Sequence, residues 1–544
     1  MVATVSTSVG TEAFRILPNN THAQWRRDPG LRRLMLATFL VFMSATANGY
    51  DTSLINGLLA IPAFNSSIID PVNTDTEGLI IAAVSLGGFF TLPFAGYFSD
   101  RWGRKAAVGV GSALIAILGL VQALIDGPWA FLGIRISIGV GIAFVFVAAP
   151  PLAGEISHPR LRGQITNSFQ ASFYWGSVLS AIATLGGLYI TGSWSWRMPV
   201  LLQIFFPFMQ LLGLWIIPES PRYLVARGRE SQALRMLARF HANGDENDPL
   251  VHYELSEIRE AIARERHFAS NSGWKDFVTT RQNRHRLLIC VLVGIFTQWA
   301  GNGIVSYYLS PILRSVGITD SVDQASINLG LQVWNAIMAL VGAFAAERYG
   351  RRPLWLTSAL GMLFSFAIIT PLAAVYAEDG NDAAGQAVIA FLFVFFGFYD
   401  VGFTPLSVAY PVEILPYRLR SKGLTVTLMA LFATGFSNQF INPIAFAAIR
   451  WRYYFVYIGT LSGMIALIYF LFPETKGRSL EEIATVFEGT AAESQAYRRA
   501  SEIVRYDSVL HPDSEGGRSG SSWRFSIMHG LRRKHRSRES NEPP

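Results

Sequence analysis

Five lysines and one cysteine are all that the 544-residue chain holds of either type. The single cysteine, Cys290, excludes an internal disulfide. No lysine follows a glycine, which excludes a Walker-type phosphate loop and an ATP engine built on one. Charged residues of both signs make up only 15% of the chain against 51% hydrophobic, and that balance marks an integral membrane protein. The nine histidines lie in loops, in tails or, for His285, at the edge of an apolar run. No buried metal or catalytic cluster suggests itself, so neither an enzyme nor a cofactor is expected. No cleavable leader is expected either. The first 30 residues are polar and end in "QWRRDPGLRR", which reads as a cytoplasmic tail ahead of a first span.

What is abundant is apolar sequence in lengths that suit a bilayer. A hydrocarbon core of ~30 Å takes about 20 residues of helix. Twelve such runs occur, at 34–60, 78–98, 106–125, 129–150, 164–190, 197–217, 286–313, 324–346, 353–376, 386–411, 423–446 and 451–472. Residues 1–33 form an N-terminal tail, 34–217 a first six-helix bundle, 218–285 a polar linker with a charged helical pattern, "LSEIREAIARERH", and 286–472 a second bundle. The polar tail 473–544 is expected to be largely disordered. All five lysines and most arginines fall on the side that holds both termini, while the alternate loops, "DPVNTDTEG" and "EDGNDAAG" among them, are acidic or neutral. The positive-inside rule then places both termini in the cytoplasm. The net charge of +7 is thereby explained without nucleic acid. The terminal "LRRKHRSR" is read as a solvated tail near anionic lipid.

The chain repeats itself. "DRWGRK" at Asp100 returns as "ERYGRR" at Glu347, "EISHPRLRG" at Glu155 as "EILPYRLRSKG" at Glu413, and "PESPR" at Pro218 as "PETKGR" at Pro473. All three pairs keep their order and an offset of about 250 residues, each at an inner helix boundary of its half. Two related bundles enclosing a polar cavity at mid-membrane is how a rocking carrier is built. The expected class is all-α integral membrane, twelve helices in two pseudo-symmetric six-helix bundles.

Taken together, "GYDTS", "SDRWGRK", "AERYGRR", "PESPRYL", "YPVEILPYRLRSKG" and "PETKGRSLEEI" resemble the sugar porter family of the major facilitator superfamily over nearly all of the membrane region. "FTQWAGNGIVSYYL" and "PVEILPYRLRSKGL" look most like fungal hexose and lactose-permease-like members. The resemblance implies a sugar carrier that works by alternating access in the plasma membrane, as a monomer. It also implies a cytoplasmic gate of charges that pair when the inner side is closed: Asp100, Arg101, Arg104, Glu155 and Arg162 in the first half, and Glu347, Arg348, Arg351, Glu413, Arg418 and Arg420 in the second.

One carboxylate, Asp51, sits inside the first apolar run. At 1.5 Å per residue Asp51 lies roughly 15 Å below the outer end, and Arg135 of span four lies about 10 Å below that same end. Opposite charges buried at matching depth are expected to pair, because either alone would cost several kcal/mol. An acid that alternates between an arginine and a proton is what a proton-coupled carrier needs. The resemblance implies that role for Asp51 and Arg135; the alternative is a permanent structural salt bridge in a uniporter. A second intramembrane acid, Asp400 of span ten, could bind cargo hydroxyls, titrate or bond to its neighbours.

A sugar pocket needs amides, hydroxyls and aromatic faces within apolar helices. Candidates are Gln170 and Trp175 in span five, Gln298, Trp299, Asn302, Tyr307 and Tyr308 in span seven, Asn328, Gln332, Trp334 and Asn335 in span eight, and Asn438, Gln439 and Asn442 in span eleven. Gln170 and Gln298 match glutamines of the family pattern. Three positions depart from it: Thr297 replaces a glutamine, Gly303 replaces an asparagine with Asn302 one place earlier, and Val408 replaces a tryptophan. A disaccharide or a sugar-like metabolite therefore stands beside a hexose as cargo. Asn65-Ser-Ser in the first outer loop reads as a glycosylation acceptor. Two rival functions stay open: an exporter or carrier of a small polar metabolite, and a sensor that binds sugar without moving it.

Overall fold

The computed structural model describes residues 19–22, 24–69, 73–269, 274–416, 419–476 and 487. Among the described residues nine helical stretches are long and apolar enough to cross a membrane, and the last of them, Lys422–Leu471, contains two helices. Two further spans complete the twelve. Span five, Arg162–Gly187, carries too many polar residues to stand out by hydropathy, and span six is broken into Trp194–Leu202 and Phe205–Gly213. The remaining spans are Pro29–Leu58, Thr74–Trp102, Arg104–Leu124 and Pro128–Ile156 in the first half. The second half has Arg281–Trp299 continued by Asn302–Ser315 (together span seven), then Ser321–Tyr349, Arg351–Asp379, Asp382–Ile414, Arg420–Ile449 and Tyr454–Leu471.

Local chemistry sets where these helices start and turn. Span one opens on Pro29 with the Asp28 carboxylate accepting from the Leu31 amide at 2.8 Å. Asn73, Asp320 and Asn381 cap spans two, eight and ten in the same way at the opposite, acidic end. The repeated glycine of "DRWGRK" and "ERYGRR" does one specific job: Gly103 (φ 107°) and Gly350 (φ 100°) turn the chain between spans two and three and between eight and nine. L side chains rarely adopt that backbone. Span seven breaks at Gly301 (φ 102°), where a Cβ would run into the Phe366 ring.

The polar linker folds into helices Pro221–Ala226, Glu230–His241, Pro249–Ala269 and Asp276–Thr279. It docks under the first half. His241 bonds to the Ile156 carbonyl at the end of span four, and Asn243 reaches Asp28 at 2.9 Å. Between the halves, span two meets span eleven, five meets eight, and one meets the outer part of seven. At the acidic end these contacts close the molecule. Asn56 donates to Asn328 at 3.1 Å and accepts from the Leu309 amide at 3.2 Å, while Arg314 and Ser310 both reach the Leu59 carbonyl. Apart from the tail's first residues and 487, the C-terminal region 473–544 lies outside the described residues, as does Arg418.

Candidate functional site

A cavity of about 1060 Å³ lies between the two halves. Asp100, Arg104, Arg351, Glu413 and Lys422 line its mouth at the basic end, and Asn48, Tyr174 and Thr404 line its head near mid-span. With the acidic end closed and this end open, the molecule faces the side expected to be cytoplasmic.

The gate charges pair within each half. Arg104 contacts Asp100 at 3.3 Å and Glu155 at 3.5 Å. Arg351 grips Glu413 with two nitrogens, at 2.9 Å and 3.2 Å. None of these three pairs crosses between the halves. The "PES" and "PET" repeats explain themselves at this point. Glu219 accepts from the amides of Arg104 and Lys105 at the start of span three, and Glu474 accepts from those of Arg351 and Arg352 at the start of span nine. The next residue, Ser220 or Thr475, donates to Glu155 or Glu413. Arg101 and Arg348 serve through their carbonyls, which accept from Arg227 and Lys476. Arg162 is exposed at the start of span five, within electrostatic reach of Glu254 and Glu155. Arg420 is the first residue of span eleven, and the side chain of Glu347 lies outside the described residues.

Asp51 and Arg135 meet in the interior of the first half. Arg135 Nη1 is 3.8 Å from Asp51 Oδ1, and each side chain is 2% exposed. Neither Asp51 oxygen has a hydrogen-bond partner among the described residues, nor do Nε and Nη1 of Arg135. Close helix packing makes this possible. Gly87 and Gly139 let spans two and four touch backbone to backbone, and a Cβ on either would enter the other helix. Tyr307, at the outer part of span seven, lies within electrostatic reach of both charges and bonds to the Gln439 side chain, whose carbonyl end is 3.4 Å from Ser85 Oγ. A thin polar layer thus connects the pair to the seam between the halves.

The expected pocket residues are placed differently from expectation. Among the described residues Gln298, Asn302, Tyr307, Trp334 and Asn438 do not line the cavity. Asn438 is fully buried with Asn442, Tyr453 and Tyr457 in a hydrogen-bonded cluster inside the second half. Trp334 donates to the Phe393 carbonyl at 2.8 Å, and Asn302 donates to the Tyr399 hydroxyl at 3.1 Å. Amides between helices in lipid satisfy one another first, and these act as glue. Gln298 lies against Gly435 beside Ser85, at the seam. The side chain of Gln170 lies outside the described residues, and Trp175, 60% exposed, faces outward. Asp400 is buried just behind Tyr174 and Thr404. Asn65 donates its side-chain amide to the Leu59 carbonyl at 2.9 Å.

The departures from the family pattern have physical reasons. A side chain at Gly303 would enter the space that the Asn438 amide occupies. Val408 lines the cavity and leaves it wider than a tryptophan would. Sequence reasoning missed Asn48, Tyr174 and Thr404. Asn48 had a signal, since it lies three residues before Asp51 and shares its helix face. Tyr174 had none, because which of two adjacent aromatics faces the cavity depends on helix rotation.

The family model described as "Sugar (and other) transporter" matches residues 36–487. The chain is 30% identical over 461 residues to the MFS-type transporter oryC of Aspergillus oryzae, covering 82% of this chain and 83% of that one. It is 27% identical to the high-affinity glucose transporter of Kluyveromyces lactis, with 91% and 92% covered. In structure it is similar to an inward-open conformation of the xylose transporter XylE from E. coli, at TM-score 0.70 and 20% identity, covering 83% of this chain and 99% of that one.

Proposed function

Because the chain belongs to the sugar (and other) transporter family of the major facilitator superfamily, a family of carriers and not of enzymes, we propose that it takes a mono- or disaccharide across the plasma membrane by proton symport. Both termini lie in the cytoplasm, and the cavity faces that side. The protein works as a monomer, since one chain supplies both halves and the whole cavity.

The observation that carries the symport reading is the loose ion pair of Asp51 and Arg135. Its atoms are close enough to attract and too far apart to hydrogen-bond. A tight, fully bonded pair would be a fixed strut. A pair with open lone pairs can trade the cation for a proton as the halves tilt. Cargo hydroxyls meet Asn48, Tyr174 and Thr404 at the head of the cavity, and the sugar ring has apolar helix faces around it.

The test is uptake of labelled sugars by transporter-deficient yeast at two external pH values. Symport predicts accumulation above equilibrium that collapses with an uncoupler and in Asp51→Asn. Uptake that only equilibrates, and is indifferent to that substitution, rejects it.

A second reading has its own support. The relative at 30% identity is named only as an MFS-type transporter, and so is that of Aspergillus cristatus at 26%. The cavity walls are mostly apolar, and the hexose positions at 297, 303 and 408 are altered. A carrier of a sugar-like metabolite would show no sugar uptake together with efflux of that metabolite.

A further inference from the structure

Asp51 is not the only carboxyl buried in the membrane interior. Asp400, on span ten of the second half, is 1% exposed. No ion pair reaches it among the described residues, and neutral donors satisfy it instead. Tyr174 Oη donates to Oδ1 at 2.5 Å and Thr404 Oγ1 to the same oxygen at 3.0 Å. With its amide nitrogen turned inward, Asn335 donates to Oδ2 at 3.2 Å and to the Leu331 carbonyl at 3.1 Å. The titratable groups facing Asp400 are Tyr174 from span five and Tyr399 from its own helix.

The donors differ in where they belong. Thr404 and Asn335 sit in the same half as Asp400, whereas Tyr174 sits in the other. The Tyr174–Asp400 bond is therefore a tether between two bodies that must move relative to each other. Tyr174 and Thr404 also line the head of the cavity, so a solute there stands one hydroxyl away from the Asp400 carboxyl.

We propose that Tyr174 holds the donor place on Asp400 that a hydroxyl of the cargo takes over, so that loading exchanges a bond between the halves for a bond to the cargo and frees the halves to tilt. This rests on the reading of the cavity as a site for a polyhydroxylated solute. A phenol O–H and a sugar O–H are donors of the same kind, so the exchange leaves the buried carboxyl satisfied at every stage. A solute that cannot donate a hydrogen bond cannot replace the tyrosine, which makes Asp400 a residue that determines specificity and Tyr174 a positioning residue.

The experiment has two arms, both on the full chain in membranes. In the first, which uses no sugar, a thiol reagent is applied from the cavity side to a S168C reporter. Ser168 is an exposed cavity residue, and the one native cysteine, Cys290, is buried. Tyr174→Phe and Asp400→Ala are expected to slow labelling about threefold, because loss of the tether shrinks the inward-facing population. Asp400→Asn, which keeps an acceptor oxygen, is expected to restore the parent rate. In the second arm Tyr174→Phe lowers the KM for a transported sugar about threefold by removing the competing donor, while Asp400→Ala raises it about tenfold. Unchanged labelling in Tyr174→Phe and Asp400→Ala, in protein with the parent's yield and gel-filtration profile, overturns the tether. Unchanged KM values overturn the exchange. If the wild type takes up no sugar, the cargo assignment fails and the exchange with it, while the sugar-free arm still decides the tether.

Discussion

Arg135 Nη1 stands 3.8 Å from Asp51 Oδ1 with both side chains almost wholly out of solvent. That distance is inside ion-pair range and outside hydrogen-bond range. Removing either partner strands the other in a low-dielectric interior, whereas removing both strands neither. Arg135→Met is therefore expected to cost on the order of 3 kcal/mol of stability, and the double variant with Asp51→Asn to recover most of it. Thermal unfolding in detergent measures both. Equal losses in the single and double variants would show that the two groups do not interact.

The two halves hold their gate glutamates with different strength. Glu413 has a two-pronged arginine and the Thr475 hydroxyl; Glu155 has one longer arginine contact and the Ser220 hydroxyl. Glu413→Gln should destabilise by about 3 kcal/mol and Glu155→Gln by about 1 kcal/mol, in keeping with a buried, two-pronged pair and a partly buried, longer one. Paired melting curves of the two variants check the order, and a larger loss at Glu155 would contradict it.

Backbone strain and steric clash can be told apart at three glycines that share a positive φ. Gly103, Gly350 and Gly127 have φ of 107°, 100° and 95°. A Cβ at Gly103 would enter the Glu219 carboxylate, and at Gly350 it would come within 3.0 Å of Glu474, whereas Gly127 has open space around it. Alanine at Gly127 should cost about 1 kcal/mol, the strain alone, and alanine at Gly103 roughly 2–3 kcal/mol. Expression level and melting temperature across the three variants are the measurement; equal losses would mean that Glu219 simply swings away.

The junction of the linker with span four should loosen in acid. His158 is 1% exposed, its ring lies 5.1 Å from that of His241, and its Nε2 has no partner among the described residues. Burial, then the positive field of His241, Arg160 and Arg162, pushes its pKa down to about 2. A histidine whose folded value is depressed contributes stability that is present above its unfolded value, about 6.5, and is lost as pH falls below it. Stability should drop by about 1.4 kcal/mol per unit between pH 6 and pH 5, and His158→Gln should flatten that slope. Melting temperature against pH for the two proteins tests it, and identical slopes would remove His158 from the account.

Much of the architecture was legible before any coordinates. Twelve apolar runs, three repeated motifs at one offset, and lysines confined to one side follow from how helices, bilayers and gene-duplicated halves behave. Those constraints are one-dimensional. The depth of Asp51 and Arg135 along their helices was legible too, because rise per residue is fixed. Span six shows the limit: the apolar run 197–217 reads as one helix, and the structure breaks it into Trp194–Leu202 and Phe205–Gly213.

Rotation about each helix axis is what the sequence left open. Asn438 and Trp334 are as polar as Asn48 and Tyr174, and all sit within apolar runs. Packing alone sent the first two into bonds with their own half and the last two to the cavity wall. The same rotation put Tyr174 against Asp400 across the seam and held Arg135 just short of a hydrogen bond to Asp51. Sequence thus determined that this chain is a two-bundle membrane carrier and how deep its charges lie. The tertiary structure decided which polar groups meet, because a contact between helices depends on their facing angle, and that angle is set by the whole packed interior and by no local pattern.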